Sequence, residues 1–207
     1  IRTTVKLPAS KSISNRALIL NALSYSAYDV ENLSDCDDTN LMVKALNSND
    51  RDFNVGAAGT TMRFLTAFLS KVVGEWTITG TERMKNRPIK VLVDALNALG
   101  ARIEYMEKEG YPPLRIFGSA LQGGEISLPG NVSSQYISAI LMIAPLTENG
   151  VMLHLEGAII SRPYIHITLQ LMEQYGVRAS WTENTIKVLP QEYKPVSYTH
   201  LRAHETK

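Results

Sequence analysis

Three segments of the sequence place hydroxyl, amide and cationic side chains just ahead of apolar, helix-like runs. They are LPASKSISNRALIL at 7–20, GAAGTTMRFL at 56–65 and NVSSQYISAILMIAPL at 131–146. The first turn of a helix favours anions, because its backbone N–H groups are free and the helix dipole is positive there. Lys11 adds a point charge, and Arg16 adds a guanidinium that can grip a phosphate or carboxylate with two parallel hydrogen bonds. These residue types favour the binding of anionic groups.

Two further segments, RMKNRP at 83–88 and SRPY at 161–164, carry cations just before helix-like runs. Each of the five segments also has a simpler explanation, as a capped helix, a tight turn or a solvated charged surface. The occurrence of all five together is informative because the chain as a whole is nearly neutral. It has 21 Lys and Arg against 20 Asp and Glu, a net charge of +1. We therefore expect a ligand that carries more than one anionic group, bound by local charge.

The composition narrows the possible classes of protein. A net charge of +1 does not favour a nucleic-acid or membrane partner. Cys36 is the only cysteine, so neither an internal disulfide nor a cysteine-based zinc site can form, which suits a cytoplasmic protein. No apolar run reaches the roughly 18 residues of a membrane span. The N-terminus carries no signal-peptide pattern, and Ile1–Leu7 is predicted to be a strand.

Two kinds of helix recur three times each. Helices that open with small or hydroxyl residues and continue almost wholly apolar, as an interior position requires, are predicted at 10–23, 57–69 and 132–146. A second kind of helix is predicted at 41–46 and at the start of the segments 91–105 and 167–181. In these two later segments an alternating strand follows the helix. In those copies Gly100 and Gly176 stand where a helix end requires positive φ. Further strands are predicted at 76–79, 151–155 and 185–189.

This recurrence predicts an α/β domain built from three copies of a βαβαββ unit, with inner helices packed together and sheets outside. If a pseudo-three-fold relates the inner helices, their N-termini point the same way and converge on one surface. The anion site then follows from the symmetry of the fold.

The last thirteen residues, PVSYTHLRAHETK at 195–207, have neither a helical nor a strand period. Back-translated, they resemble a transposase-type sequencing adapter read as codons. We therefore expect a domain at 1–194 followed by a non-native tail, and His200 and His204 are left out of the functional argument. A natural C-terminal segment is the alternative.

In their order and spacing, the five segments, together with VDALNALGA and YPPLRI, resemble the EPSP synthases across residues 1–194. The resemblance implies transfer of an enolpyruvyl group from phosphoenolpyruvate to shikimate 3-phosphate, an addition followed by elimination of phosphate, in the pathway to aromatic amino acids. It implies no metal or organic cofactor. Members are about twice this length, so it also implies a missing second domain, with the catalytic aspartate and a Lys–Glu pair, as this domain's partner. The isolated chain is then expected to be inactive.

The resemblance assigns roles to individual residues, with Lys11 as the catalytic one. The shikimate 3-phosphate ligands it implies are Lys11, Ser12, Arg16, Ser133, Ser134, Gln135, Ser161 and Tyr164. The phosphoenolpyruvate ligands it implies are Lys11, Gly59, Arg87 and Gln135. Two residues depart from the usual family pattern, Ala57 in place of asparagine and Phe64 in place of proline. They bear on the response to the inhibitor glyphosate more than on the reaction.

Two other functions fit the same segments. A stand-alone anion-binding module without catalysis would use the same helix starts. A relative of the UDP-N-acetylglucosamine enolpyruvyl transferases would share the fold but bind a UDP-sugar.

Overall fold

The computed structural model describes residues 9–196, so the strand predicted at 1–7 and nearly all of the predicted tail lie outside the described residues. The described helices are α1 (Lys11–Leu23), α2 (Asp37–Leu46), α3 (Gly59–Lys71), α4 (Glu82–Lys85), α5 (Lys90–Ala98), α6 (Ser134–Ile143) and α7 (Arg162–Gln174). The described strands are β1 (Asp52–Asn54), β2 (Gly74–Thr79), β3 (Arg102–Tyr105), β4 (Leu114–Gly118), β5 (Gly124–Pro129), β6 (Val151–Glu156), β7 (Ala179–Thr182) and β8 (Thr185–Val188).

The strands form two four-stranded sheets with one shared topology. Their orders are β1-β2-β4-β3 and β5-β6-β8-β7. In both sheets the first two strands are parallel, and the third and fourth strands form an antiparallel hairpin that joins the second strand. Because helices connect the strands in the same positions, the predicted βαβαββ unit occurs twice. The mixed α/β class is confirmed.

The helices α1 and α2 form a third pair that resembles the pairs of the two complete units. Residues 9–196 show no third sheet over this pair, so the full three-fold repeat stays a prediction. After α5 and α7 the chain makes a β-hairpin, but after α2 it reaches β1 through residues 47–51 alone. A groove of about 500 Å³ remains beside α1 and α2, and Tyr25 at its rim is 93% exposed.

The apolar helices occupy the interior, as their sequences predict. Every residue of α6 from Tyr136 to Ile143 is buried, and α1 and α3 are buried along most of their lengths. The strands β5 and β6 alternate between buried and more exposed residues, which is typical of a sheet with one face on the core. The prediction of inner helices with sheets outside is confirmed.

Helix ends show where the sequence predicts the backbone well and where it does not. Gly100 and Gly176 have φ of 103° and 83°, as the ends of α5 and α7 require. The helix α5 begins at Lys90 and not directly after the cationic segment that ends at Pro88. The reason is Ile89, whose backbone is not helical (φ −133°, ψ 4°) and whose N–H donates to the Gly110 carbonyl at 2.9 Å.

We predict that the core around α6 dominates the stability of this domain. Leu141 is 0% exposed and Leu189 is 56% exposed, so Leu→Ala at the two positions compares the same chemical change inside and outside the core. Leu141→Ala should lower the free energy of unfolding by about 2–5 kcal/mol because it leaves a cavity. Leu189→Ala should lower it by less than about 1 kcal/mol. Urea unfolding followed by circular dichroism measures both, and equal losses would contradict the central position of α6.

Candidate functional site

Contacts between first turns bring the starts of several helices together. The ion pair Lys11–Asp38 joins α1 to α2, and a hydrogen bond from the Thr60 N–H to Asp38 joins α2 to α3. Gln135 joins α6 to α3 by donating to Thr60 Oγ1 at 2.9 Å. Several helix N-termini with their partial positive charges therefore lie in one cluster.

Arg16 is the most deeply buried cation of this cluster, with 2% of the residue exposed. Its Nε donates to Thr168 Oγ1 at 2.7 Å, one Nη donates to Ser138 Oγ at 2.9 Å, and the other donates to the Ser12 carbonyl at 3.0 Å. A guanidinium has five N–H donors. Because these bonds use one donor on each nitrogen, one N–H remains on each Nη.

The charge of Arg16 has no acidic partner among residues 9–196, since none of the ion pairs formed there includes it. Burial lowers the pKa of this guanidinium to about 10, because the surrounding protein solvates its charge poorly. Aromatic rings supply part of the compensation, with the Phe64 and Tyr164 centroids 5.3 and 5.9 Å from Arg16 Cζ. Phe64, a departure from the usual family residue, thus lies against a predicted site residue. A buried cation with neutral partners favours a bound anion.

Gln135 connects a second, half-buried cation, Arg63, to the same cluster. Its Oε1 accepts a hydrogen bond from Arg63 Nη1, and the Arg63 Cζ lies 4.9 Å from the Tyr136 ring centroid. Burial is the largest cause that lowers the pKa of Arg63, and the nearby Arg87 lowers it further. The amide of Gln135 therefore fixes the separation between α3 and α6 at the site.

The start of α3 does not offer an empty phosphate loop. Asp38 Oδ1 accepts from the Thr60 N–H at 3.1 Å, and the Asp38 carbonyl accepts from Thr61 Oγ1 at 2.7 Å. A carboxylate from α2 therefore already caps this helix. The segment GAAGTT is better described as a tight strand-to-helix turn, an explanation that the sequence leaves open, and Gly56 provides its positive φ of 56°.

Gly59 and Arg87, predicted to share one ligand, lie against each other. A Cβ on Gly59 would stand 2.8 Å from Arg87 Cζ, closer than side chains pack. Glycine at this position therefore makes room for the guanidinium. The neighbouring cations behave differently, because Arg83 and Lys85 belong to α4 and Lys85 pairs with Glu82 and Glu107 at 3.5 Å. Of the cationic run 83–87, Arg87 is the member that faces the site.

The predicted serines have mixed positions. Ser133 caps α6, since its hydroxyl accepts from the Gln135 N–H at 3.3 Å, and Ser134 is the first residue of that helix. Ser161 precedes α7 but makes no capping hydrogen bond. Ser12 contributes its carbonyl to Arg16. Their assignment to shikimate 3-phosphate stays a prediction.

Five residues that hold the site together were not given an individual role by the sequence analysis. They are Asp38, Thr60, Arg63, Ser138 and Thr168. A signal existed for three of them. Ser138 and Thr168 are isolated polar residues in otherwise apolar helical positions, and buried polar groups need partners. Arg63 follows Gly59 by four residues and thus shares its helix face.

Two classes of feature are absent from the part of the chain that the structure describes. Residues 9–196 contain no group of three or more His, Cys, Asp or Glu side chains that could hold a metal ion. None of the helices in that range has the length and apolar character of a membrane span.

The model of the family described as EPSP synthase (3-phosphoshikimate 1-carboxyvinyltransferase) matches residues 1–50 and 47–201 of the chain. The chain belongs to the EPSP synthase family. The two matched pieces meet near residues 47–51, where α2 passes into β1 without a hairpin. The second piece extends beyond Lys194 into the segment predicted to be a tail.

Curated relatives in the EPSP synthase family carry the name 3-phosphoshikimate 1-carboxyvinyltransferase. The protein from Bacteroides fragilis (strain YCH46) is 59% identical over 200 residues, covering 96% of this chain and 49% of the relative. The protein from Vibrio campbellii is 44% identical over 203 residues, covering 86% of this chain and 48% of the relative. The alignment with the Vibrio protein has 203 positions but covers only 86% of this 207-residue chain. Part of the Vibrio protein therefore has no counterpart in this chain. The chain spans about half the length of these relatives.

A solved EPSP synthase from Acinetobacter baumannii has the same fold over most of this chain. The TM-score is 0.81 at 20% sequence identity, and the match covers 92% of this chain and 48% of the solved one. At this identity the likeness concerns the fold alone.

We predict that Gly59→Ala moves Arg87 without destabilising the domain. Gly59 is the first residue of α3, where alanine gains about 0.4–1 kcal/mol by restricting the unfolded chain, and the obstacle is the far end of a flexible side chain. The free energy of unfolding should therefore stay the same or rise slightly, while a crystal structure of the variant should show the guanidinium displaced. A loss of more than about 2 kcal/mol would mean that Arg87 is rigidly held, contrary to this account. Gly59→Ala combined with Arg87→Ala is the matched control, because it has no guanidinium to displace.

Proposed function

We propose that this chain forms the shikimate 3-phosphate-binding domain of an EPSP synthase, the transferase that joins enolpyruvyl from phosphoenolpyruvate to shikimate 3-phosphate and releases phosphate. The observation that carries the proposal is the buried guanidinium of Arg16, which has neutral partners and two N–H groups left for an anion. The matched family and the names of its members support the choice of substrates. Because the chain spans about half of those relatives, the activity belongs to the proposal.

The proposed shikimate 3-phosphate pocket lies between α1, α6 and α7. The charged groups of the substrate are its phosphate and its carboxylate, and both require cations or N–H donors. Lys11 and Arg16 supply cationic donors, the first turn of α6 with Ser133, Ser134 and Gln135 supplies hydroxyl and amide donors, and Ser161 stands at the start of α7. The face of Tyr164 closes one side, because its ring already lies beside Arg16.

Phosphoenolpyruvate is proposed to lie on the α3 side of the same cluster. Gly59 leaves room there for Arg87, and Gln135 reaches α3 through Thr60 and Arg63. Lys11 stands between the two positions, since it extends from α1 to Asp38 beside the start of α3. A group in that position can contact both substrates and bring them together.

The reaction proposed is addition followed by elimination. The 5-hydroxyl of shikimate 3-phosphate attacks C2 of phosphoenolpyruvate and gives up its proton while C3 gains one. The tetrahedral intermediate then loses phosphate together with a proton from C3, which restores the double bond. The residues of this chain contribute by positioning the reactants and neutralising their phosphates and carboxylate. Proton transfer is assigned to the second domain, so this chain alone is expected to bind substrate without turnover. The cytoplasmic location, the domain boundary at residue 194 and the non-native tail remain parts of the proposal.

Calorimetric titration of the chain with shikimate 3-phosphate tests the proposed function. We expect saturable binding at one site per chain and none with UDP-N-acetylglucosamine. Lys11→Met should weaken binding by about tenfold or more, which corresponds to about 1.4 kcal/mol. Lys44→Met is the matched control, because it removes the same charge from an exposed position in the last turn of α2 and should change affinity by less than about twofold.

The other outcomes of this titration point to the alternatives. Binding of the UDP-sugar would indicate the related transferases. Equal affinity for shikimate 3-phosphate and inorganic phosphate would indicate an anion-binding module. Either outcome would overturn the proposed substrate.

A further inference from the structure

A carboxylate stands among the cations of a site that is expected to bind anions. Asp38 is 18% exposed as a side chain, and its Oδ2 lies 3.6 Å from Lys11 Nζ. Its Oδ1 accepts from the Thr60 N–H at 3.1 Å. One carboxylate thus contacts a predicted catalytic lysine with one oxygen and the start of α3 with the other. Since a negative charge at this position repels an anionic ligand, its presence calls for a compensating role.

We propose that Asp38 is a positioning residue that holds Lys11 at the start of α3. The Lys11 side chain is 48% exposed and has four rotatable bonds, so without a partner it would sample many orientations in water. The ion pair confines Nζ to the space between the starts of α1 and α3. Because Thr60 also binds Gln135, Asp38 fixes the distance of Lys11 from the amide that joins α3 to α6.

The neighbouring Asp37 shows that a favourable charge in the first turn of α2 does not explain the contacts of Asp38. Both carboxylates lie in the first turn of α2, where negative charge is favourable. Asp37 is exposed and has no ion pair with the described residues, whereas Asp38 faces Lys11 and α3. The difference between them is the contact with the site, not the helix that carries them.

The inference rests on the proposed function, and Asp38→Asn separates its two contacts. Asparagine keeps a side-chain oxygen that can accept from the Thr60 N–H, so the cap on α3 survives. It removes the charge that holds Lys11. Asp37→Asn is the matched control, since it removes the same charge from the same helical turn.

A double-mutant cycle with shikimate 3-phosphate as the titrant tests the inference. Asp38→Asn should weaken binding by about tenfold when Lys11 is present and by less than about twofold in a Lys11→Gln background, because the two residues act through one contact. Asp38→Glu should restore part of the loss, and Asp37→Asn should have little effect. Inorganic phosphate, which needs no orientation, should bind Asp38→Asn as well as or better than wild type. An equal loss of affinity in both Lys11 backgrounds would overturn the inference.

A second readout needs no ligand and keeps the inference separate from the proposed function. The rate at which an amine-reactive ester acylates Lys11, measured by peptide mass spectrometry, should rise in Asp38→Asn and stay unchanged in Asp37→Asn. An unchanged rate in Asp38→Asn would overturn the positioning role. If wild type fails to bind shikimate 3-phosphate, the proposed function fails, while this labelling experiment still decides whether Asp38 holds Lys11.

Discussion

A buried guanidinium must have its charge solvated by the protein, and the arrangement around Arg16 satisfies this need with neutral groups. Ser138 in the apolar helix α6 and Thr168 on the buried face of α7 are acceptors for Arg16, and they also hydrogen-bond each other at 2.7 Å. Leaving a buried cation without a carboxylate costs stability, since desolvation opposes the charged form. That cost is understandable if the final partner is a ligand, because a fixed carboxylate would occupy the position of the substrate anion.

The second organising feature is that polar groups in the first turns of helices form hydrogen bonds with side chains of other helices. The cap of α3 comes from α2 through Asp38, and the amide of Gln135 in α6 reaches both Thr60 and Arg63 in α3. These bonds hold the positive ends of the helices at fixed separations, against the repulsion between them. The core beneath keeps the helices rigid, since α6 is buried along nearly its whole length. Packing and site geometry are therefore coupled.

The sequence predicted much of this structure because the relevant signals are local. Apolar runs identified the inner helices, and Gly100 and Gly176 identified two helix ends, since only local backbone geometry is involved. The contacts of Asp38 could not be predicted, because they join residues that are 22 and 27 positions apart and depend on how helices pack. The same limit applies to Arg16, whose burial follows from partners in α6 and α7. The missing hairpin after α2 also required the structure.

Replacing Arg16 by methionine tests the central claim most directly, because it removes the charge while filling similar space. Urea unfolding of both proteins, with and without shikimate 3-phosphate, is the measurement. Without ligand, the account predicts that Arg16→Met is as stable as wild type within about 1 kcal/mol, or more stable, because a desolvated charge is lost. With ligand, the free energy of unfolding of wild type should rise, because the ligand binds the folded state, and that of the variant should stay unchanged. A loss of several kcal/mol without ligand, or an unchanged gain with it, would show that Arg16 serves the fold and not the substrate.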